Sequence, residues 1–312
     1  MGKATRMIAG LIPPVKRLLD QRDELLAEVE RLKVDCGSTA KLFPDGHFYS
    51  PIPDLDQIKQ RHNSIFGVVD SLPGIDLNTD QQLSLLDEFV TYYADAPWKP
   101  EPMEGLRYYY ENPNYSYSDG LCLYSMIRHC RPKKIVEIGS GFSSCVILDT
   151  NDRFFDNAIE CTFIEPYPDL LKSLVKETDR IAIIPEKLQD VDIHLFSQLG
   201  ENDILLIDST HVSRVGSDVN MLLFEVLPSL QKGVYIHVHD IFYPFEYPAN
   251  WVYEGRAWNE AYLLRAFLQY NDVFKIVLFK HYLHLYFERI FAEKMPLHLN
   301  NSGGNIWLYK TR

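Results

Sequence analysis

The sequence predicts an α/β fold with a Rossmann-like, doubly wound sheet of seven strands, mostly parallel with an antiparallel last strand, behind an N-terminal helical and cap extension. Three observations predict it. Short apolar runs recur from Lys134 onward, separated by segments of helical period or length, as in strands covered by helices on both faces. The first run ends in a glycine turn, Gly139-Ser140-Gly141, that leads straight into a helix start. The last two runs are joined by an aromatic-rich stretch with no clear crossover helix, which predicts an antiparallel closing hairpin.

Taken in order, the chain begins with a heptad pattern. Ile8, Val15 and Val29 occupy one position and Leu11, Leu18, Leu25 and Leu32 the other, with Arg22 intruding. Such a seam pairs two helices in a homo-oligomer or packs one helix on its own domain, and Pro13-Pro14 interrupts it. Residues 1–45 are this helix and a linker over 34–45. Residues 46–117 read as a cap or lid, with a helix over Asp80–Tyr93 among loops rich in Pro, Tyr and Asn. His47, Tyr49, Tyr110 and Asn112 could reach a pocket from it, though such residues more often lie on a surface or in packing.

Residues 118–312 read as one α/β domain. Ser118-Asp119 can cap a helix that runs to Cys130, where Arg131-Pro132 ends it. Strands are predicted at Lys134–Ile138, Cys161–Ile164, Ile181–Ile184, Ile204–Ile207, Val234–Val238, Phe274–Phe279 and Ile306–Tyr309, with a helix over Trp258–Tyr270.

Composition narrows the function. Among 312 residues, 31 Lys and Arg face 43 Asp and Glu, a net charge of −12, so phosphate backbones and anionic membranes are not attracted. The 46% hydrophobic and 13% aromatic content excludes wholesale disorder. No run of about 18 apolar residues suggests a membrane span, and the Pro-broken start is too short in apolar residues for a signal sequence. A soluble, cytoplasmic protein with a small-molecule substrate is expected. Five cysteines without a C-x-x-C pair read as reduced core residues, not as a disulfide framework or a zinc knuckle.

Strand, glycine turn and helix start in succession mark where an α/β sheet binds nucleotides. Gly139 and Gly141 permit a tight turn and close backbone approach, and Ser143 and Ser144 supply amides and hydroxyls at a helix N-terminus. Glu165 ends the next strand, 24 residues after Gly141, where a carboxylate can hold both ribose hydroxyls. Ser144 stands where a dinucleotide fingerprint needs its third glycine, so a ligand without pyrophosphate fits better than NAD. Glu137 suits a ligand with a cationic amine.

The pattern Glu137-x-Gly139-x-Gly141, then Glu165, then Asp208 resembles the class I S-adenosylmethionine-dependent methyltransferases over roughly residues 118 to 312. The phrases IEPYPDLL, LLIDSTH, HVHDIFYPFEYP and GGNIWLY resemble the bacterial small-molecule branch described as methyltransferase family 24. The resemblance implies S-adenosyl-L-methionine as cofactor, its methionine and ribose portion at Gly139, Ser140 and Gly141, its ribose on Glu165, and Leu188 or Gln189 beside its adenine. Ser143 stands where many relatives carry a further glycine.

At the same edge Asp208 follows the fourth strand, His211 comes three residues later, and His237, His239 and Asp240 crowd the fifth. His239 is the candidate general base for a hydroxyl acceptor, with Asp208 and His211 assisting. Alternatively Asp208, His239 and Asp240 hold a divalent metal. Adding His211 or His237 would draw a two-histidine, one-carboxylate set, the mark of an iron-dependent hydroxylase on the same fold. An NAD-dependent oxidoreductase is a further alternative. His237, in mid-strand, reads as a hydrogen-bonded packing residue.

Overall fold

The computed structural model describes residues 13–35 and 42–312, and divides into two compact units, residues 1–54 and 55–312. In the first unit, helix α1 spans Pro13–Asp35. Its prolines occupy the first turn, where a missing N–H costs nothing. Of the heptad residues on α1, Leu18, Leu25 and Val29 are exposed. Ile8 and Leu11 lie outside the described residues, as does most of the predicted linker, and the side chain of Leu32 is likewise outside them.

The second unit opens with α2 (Leu55–Gln60), α3 (His62–Ile65) and α4 (Thr79–Tyr93), the last burying Leu85, Leu86 and Phe89. Each such side chain removed from water contributes roughly 1.5–3 kcal/mol. Helix α5 (Tyr117–Cys130) starts after Ser116 and stops where Arg131 turns left-handed ahead of Pro132. Strand and helix then alternate: β1 (Lys134–Ile138), α6 (Phe142–Phe154), β2 (Glu160–Ile164), α7 (Asp169–Leu174), β3 (Ile181–Ile184) and β4 (Ile204–Ile207). Helix α8 (Asp218–Met221) continues through a π-helical turn at Leu222–Val226. The chain ends with β5 (Tyr235–His239), α9 (Ala249–Tyr253), α10 (Glu260–Leu268), β6 (Phe274–Phe279), α11 (Lys280–Lys294) and β7 (Asn305–Lys310).

The seven strands form one sheet in the order β3-β2-β1-β4-β5-β7-β6. The first five are parallel, and β7 runs antiparallel between β5 and β6. Every predicted strand is present to within a residue or so. Every residue of β4 is buried, as are all but the first of β1, which explains their continuous apolar runs.

One connection departs from the sequence reading. Between β6 and β7 lies α11, so the two strands pair antiparallel without forming a tight hairpin. Its sequence, KHYLHLYFERIFAEK, has no single apolar stripe and bends at Phe287, where the backbone leaves helical geometry. Periodicity therefore could not announce it.

A buried ion cluster fastens residues 98–108 onto helix α6. Asp149 on α6 accepts from Arg107 Nη1 at 2.8 Å, from Trp98 Nε1 at 3.0 Å, and from the amides of Arg107 and Tyr108 at 2.9 and 3.0 Å. Arg107 also pairs with Asp179. Residues 98–108 are thus fixed to the helix that begins at the glycine turn. Among the described residues, no helix is long and apolar enough to cross a membrane.

Candidate active site

The turn after β1 is shaped by what lies behind it. Gly139 has φ +77°, and a Cβ there would stand 2.1 Å from the carbonyl oxygen of Asp208. Only glycine lets this turn pass the end of β4. At Gly141, whose backbone is extended, a Cβ would meet nothing nearer than Leu170 Cδ2 at 3.9 Å. The two glycines therefore differ: Gly139 accommodates the neighbouring strand, and Gly141 borders open space.

Glu137 lies beneath the turn, fully buried. The Ser144 hydroxyl, which accepts from the Gly141 amide at 3.2 Å, donates to Glu137 Oε2, while Oε1 has no partner. Burial pushes this carboxyl up to about 8, against the Ser143 and Ser144 hydroxyls, which favour the charged form. The Ser140 hydroxyl is also buried without a partner. Its amide donates to Glu165 Oε2 at 3.2 Å, and the Tyr167 amide donates to Glu165 Oε1 at 2.8 Å. Gln189 Nε2 donates to the Gly216 carbonyl at 2.9 Å, tying two walls together. Gly139, Glu165, Leu188, Gln189 and Asp208 all line a cavity of about 620 Å³.

The ends of β4 and β5 carry the titratable groups. His211 Nε2 lies 3.4 Å from Asp208 Oδ1 and 3.5 Å from Asp240 Oδ2, and Nδ1 lies 2.9 Å from Glu260 Oε2. One donor atom each from Asp208, His211 and Asp240 falls within 4.8 Å of the others. His239 stands beside this set, its Nε2 3.5 Å from Asp240 Oδ1. This grouping brings His211 to the two carboxylates, where the sequence pointed to His239. His211 and Asp240 both adopt left-handed backbone, at φ 59° and 56°. Such conformations are costly for non-glycine residues and concentrate at functional sites, and strand alternation cannot foresee where they aim a side chain.

Charge is concentrated there. Burial alone would lower His211, but its hydrogen bonds and charge contacts with Asp208 and Glu260 push it up to about 10. Burial opposes the ionised form of Asp208 too, yet His239, His211 and His237 hold that carboxyl below its usual range. His239 is raised because Asp240, Asp208 and Asp119 outweigh its burial. Asp240 is raised, burial exceeding the help from His239 and His211.

His237 packs against Trp307 with ring centroids 4.8 Å apart. Neither of its ring nitrogens has a partner, so it is a packing residue without the expected hydrogen bond. Burial, then His239, holds it well below the usual histidine range. Among the described residues, the grouped donors include a single histidine, and a two-histidine, one-carboxylate set does not assemble.

Three participants escape a reading of the sequence. Glu260, buried, opens α10 and accepts from the Ser209 hydroxyl at 2.9 Å as well as facing His211. An acid in a first helical turn ordinarily reads as a partner of the helix dipole. Trp258 lies 4.4 Å from the His211 ring. Tyr115 lies 4.9 Å from the His239 ring, with its buried hydroxyl unpartnered. Asn112 holds Tyr115 in place, taking its amide at 2.7 Å and donating to its carbonyl at 2.9 Å. Tyr110 is buried and stacks on Tyr117, whereas His47 and Tyr49 belong to the first unit.

A family described as a methyltransferase domain, family 24, matches residues 136–241, the span from β1 to just past Asp240. A protein of Archaeoglobus fulgidus, described as uncharacterized, is 41% identical over 169 residues, which cover 53% of this chain and 76% of that protein. Among solved structures, the methyltransferase PaMTH1 of Podospora anserina bound to SAH aligns with 88% of this chain and 100% of its own, at 15% identity and a TM-score of 0.41. The O-methyltransferase TomG of Streptomyces achromogenes, involved in tomaymycin synthesis and solved with SAM, aligns with 82% of this chain and 96% of its own, at 11% identity and a TM-score of 0.39. Over residues 136–241, which hold the glycine turn, Glu165, Asp208 and Asp240, the chain is similar to methyltransferase family 24.

Proposed function

We propose that this methyltransferase transfers the methyl group of S-adenosyl-L-methionine to a hydroxyl oxygen of a small molecule, beside a divalent cation held by Asp208, His211 and Asp240. The observation that carries the reading is the convergence of two carboxylates on one histidine at the edge of the cofactor cavity.

The residues fit both groups. The unpartnered Oε1 of Glu137 suits the methionine ammonium, and the open space at Gly141 suits the carboxylate end beside a helix N-terminus. Glu165, its oxygens already steadied by two amides, keeps lone pairs for the ribose hydroxyls. Two carboxylates suit a hard cation, and Glu260 behind His211 repeats the carboxylate-histidine support common in metal sites. When bound, the cofactor supplies an electrophilic methyl on a cationic sulfur, and the cation supplies positive charge that favours an ionised hydroxyl.

The protein's own part is placement and proton handling. Asp240 orients His239, and His239 takes the acceptor's proton and passes it to solvent. The acceptor oxygen bonds to the methyl carbon as the carbon–sulfur bond breaks, its electron pair remaining on sulfur. In-line positioning supplies most of the acceleration such a transfer needs. Isothermal titration with SAH tests the cofactor assignment, and no binding would overturn it. Titration of chelated protein with Mn²⁺, followed by paramagnetic resonance, tests the cation.

The exposed Leu18, Leu25 and Val29 of α1 support self-association through that helix, in a cytoplasmic enzyme whose four described cysteines are buried and unpaired. Sedimentation of a Leu18→Glu, Leu25→Glu variant tests this: a dimer should become monomeric with the same melting temperature.

A further inference from the structure

A second cavity, of about 240 Å³, lies at the same edge of the sheet but toward its other end. Its walls come from the segment after β5, from His281 just after β6 and from Ser302 just before β7. The cofactor cavity is lined instead by residues following β1, β2, β3 and β4. Asp208 and Asp240, at the ends of β4 and β5, stand between the two. Neighbouring strands are about 4.8 Å apart, so the second cavity begins within one or two strand spacings of the carboxylates. A single substituted ring spans that interval.

The walls specify the occupant. Phe66, Phe242, Tyr247 and Pro248 give the cavity flat apolar faces. The aromatic surface continues to the carboxylates: Phe242 meets Trp251 at 5.2 Å, Trp251 meets Trp258 at 5.4 Å, and Trp258 meets His211 at 4.4 Å. Exposed faces and edges of such rings pack favourably against a further ring, offset or edge-to-face.

Two polar groups interrupt this apolar lining. His281 Nδ1 accepts from the Tyr243 amide at 3.1 Å, so its proton sits on Nε2 and the imidazole offers a donor. Glu246 accepts from the Tyr247 amide at 3.0 Å and the Tyr262 hydroxyl at 2.5 Å, both on Oε1. Its Oε2 has no partner among the described residues. No Lys or Arg lines the cavity.

We infer that this cavity is the acceptor site and that it takes a single-ring phenol carrying a basic side group, with the ring between Phe242 and Tyr247, the amine on Glu246 Oε2 and the hydroxyl toward Asp240. The inference rests on the methyl-transfer reading and goes beyond it in naming the acceptor's chemistry. An anionic phenol would place its charge against Glu246 in a lining without a cation.

The test uses the full chain with Mn²⁺ and SAH, and two probes that share one ring: tyramine, with an amine, and 4-hydroxyphenylacetate, with a carboxylate. Titration of SAH comes first, and its failure to bind would sink the methyl-transfer reading itself. With SAH bound, tyramine should quench tryptophan fluorescence saturably and bind about tenfold or more tightly than the acid, the margin expected from one partly buried charge pair. Glu246→Gln keeps the side chain's shape and should erase that preference. Phe242→Leu, checked by circular dichroism for folding, should weaken both probes. Equal affinity for the two probes, no saturable binding, or a preference that survives in Glu246→Gln would overturn the assignment while leaving the cofactor reading intact.

Discussion

Glu260 Oε2 faces His211 Nδ1 across 2.9 Å, and the same carboxylate takes the Ser209 hydroxyl on both oxygens at 2.9 Å. His211 is thereby fixed with Nε2 toward Asp208 and Asp240. Glu260→Gln should preserve the fold but weaken Mn²⁺ binding by about 10- to 100-fold, the usual loss when such a supporting carboxylate is removed. Calorimetric titration of the chelated variant measures it. Unchanged affinity would show that His211 is not a ligand.

Chelation should abolish methyl transfer while leaving SAH bound, because the proposed cation ligands and the Glu137–Glu165 side of the cavity are separate side chains. Transfer should return on adding Mg²⁺ or Mn²⁺. Activity that persists in excess chelator would remove the cation from the reaction.

Glu137 gives a pH dependence with a definite sign. Its folded pKa near 8 lies above the ordinary value of 4.5, so its contribution to stability is complete below about pH 4.5 and disappears as pH rises to about 8. The melting temperature of ligand-free protein should include a fall over that window that Glu137→Gln removes. SAH carries an ammonium, and binding it should ionise Glu137 and release a proton. Affinity should therefore rise by up to about tenfold per pH unit between pH 6 and 8 in the native chain, and not in Glu137→Gln. Calorimetry in buffers of different ionisation enthalpy counts the proton.

The two glycines of the turn should respond differently. Gly139→Ala forces a Cβ against the Asp208 carbonyl in left-handed backbone and should cost about 3 kcal/mol or more. Gly141→Ala meets only the tip of Leu170, so its melting temperature should stay near that of the native chain while SAH affinity falls. Thermal melts paired with SAH titration separate the two outcomes.

Asp149→Ala leaves the buried Arg107 with one partner fewer and four donors unanswered. A loss of about 3–5 kcal/mol is expected, with residues 98–108 the first to gain hydrogen exchange.

How much of this was visible in the sequence follows from the physics of each part. β4 and most of β1 were legible because a strand covered on both faces is written as a nearly unbroken apolar run, as in Ile204–Ile207. Helix α11 was not, since its buried residues, Lys280, Tyr282, Leu283 and Phe291, make no stripe. Asp208, His211 and Asp240 could be found by their places at strand ends. Their grouping could not, because it depends on left-handed backbone at His211 and Asp240. Glu260 and Tyr115 reach the site from a helix start and a cap loop, 49 residues from His211 in one case, and no local pattern records such distances.

The position of β7 bears on how the enzyme comes into being. Because β7 hydrogen-bonds to both β5 and β6, the β6 edge cannot join the sheet until residues 305–310 have been laid down between them. Gly304, just before β7, donates to Asp119 at 3.1 Å across 185 residues of sequence. Contacts of such separation slow folding. The cofactor half, β1 to β4, closes over shorter separations, Ile135 with Ile204 at the widest, whereas the wall beside Asp240 completes only once β7 is in place. A folding intermediate should therefore bind SAH before it can bind an acceptor.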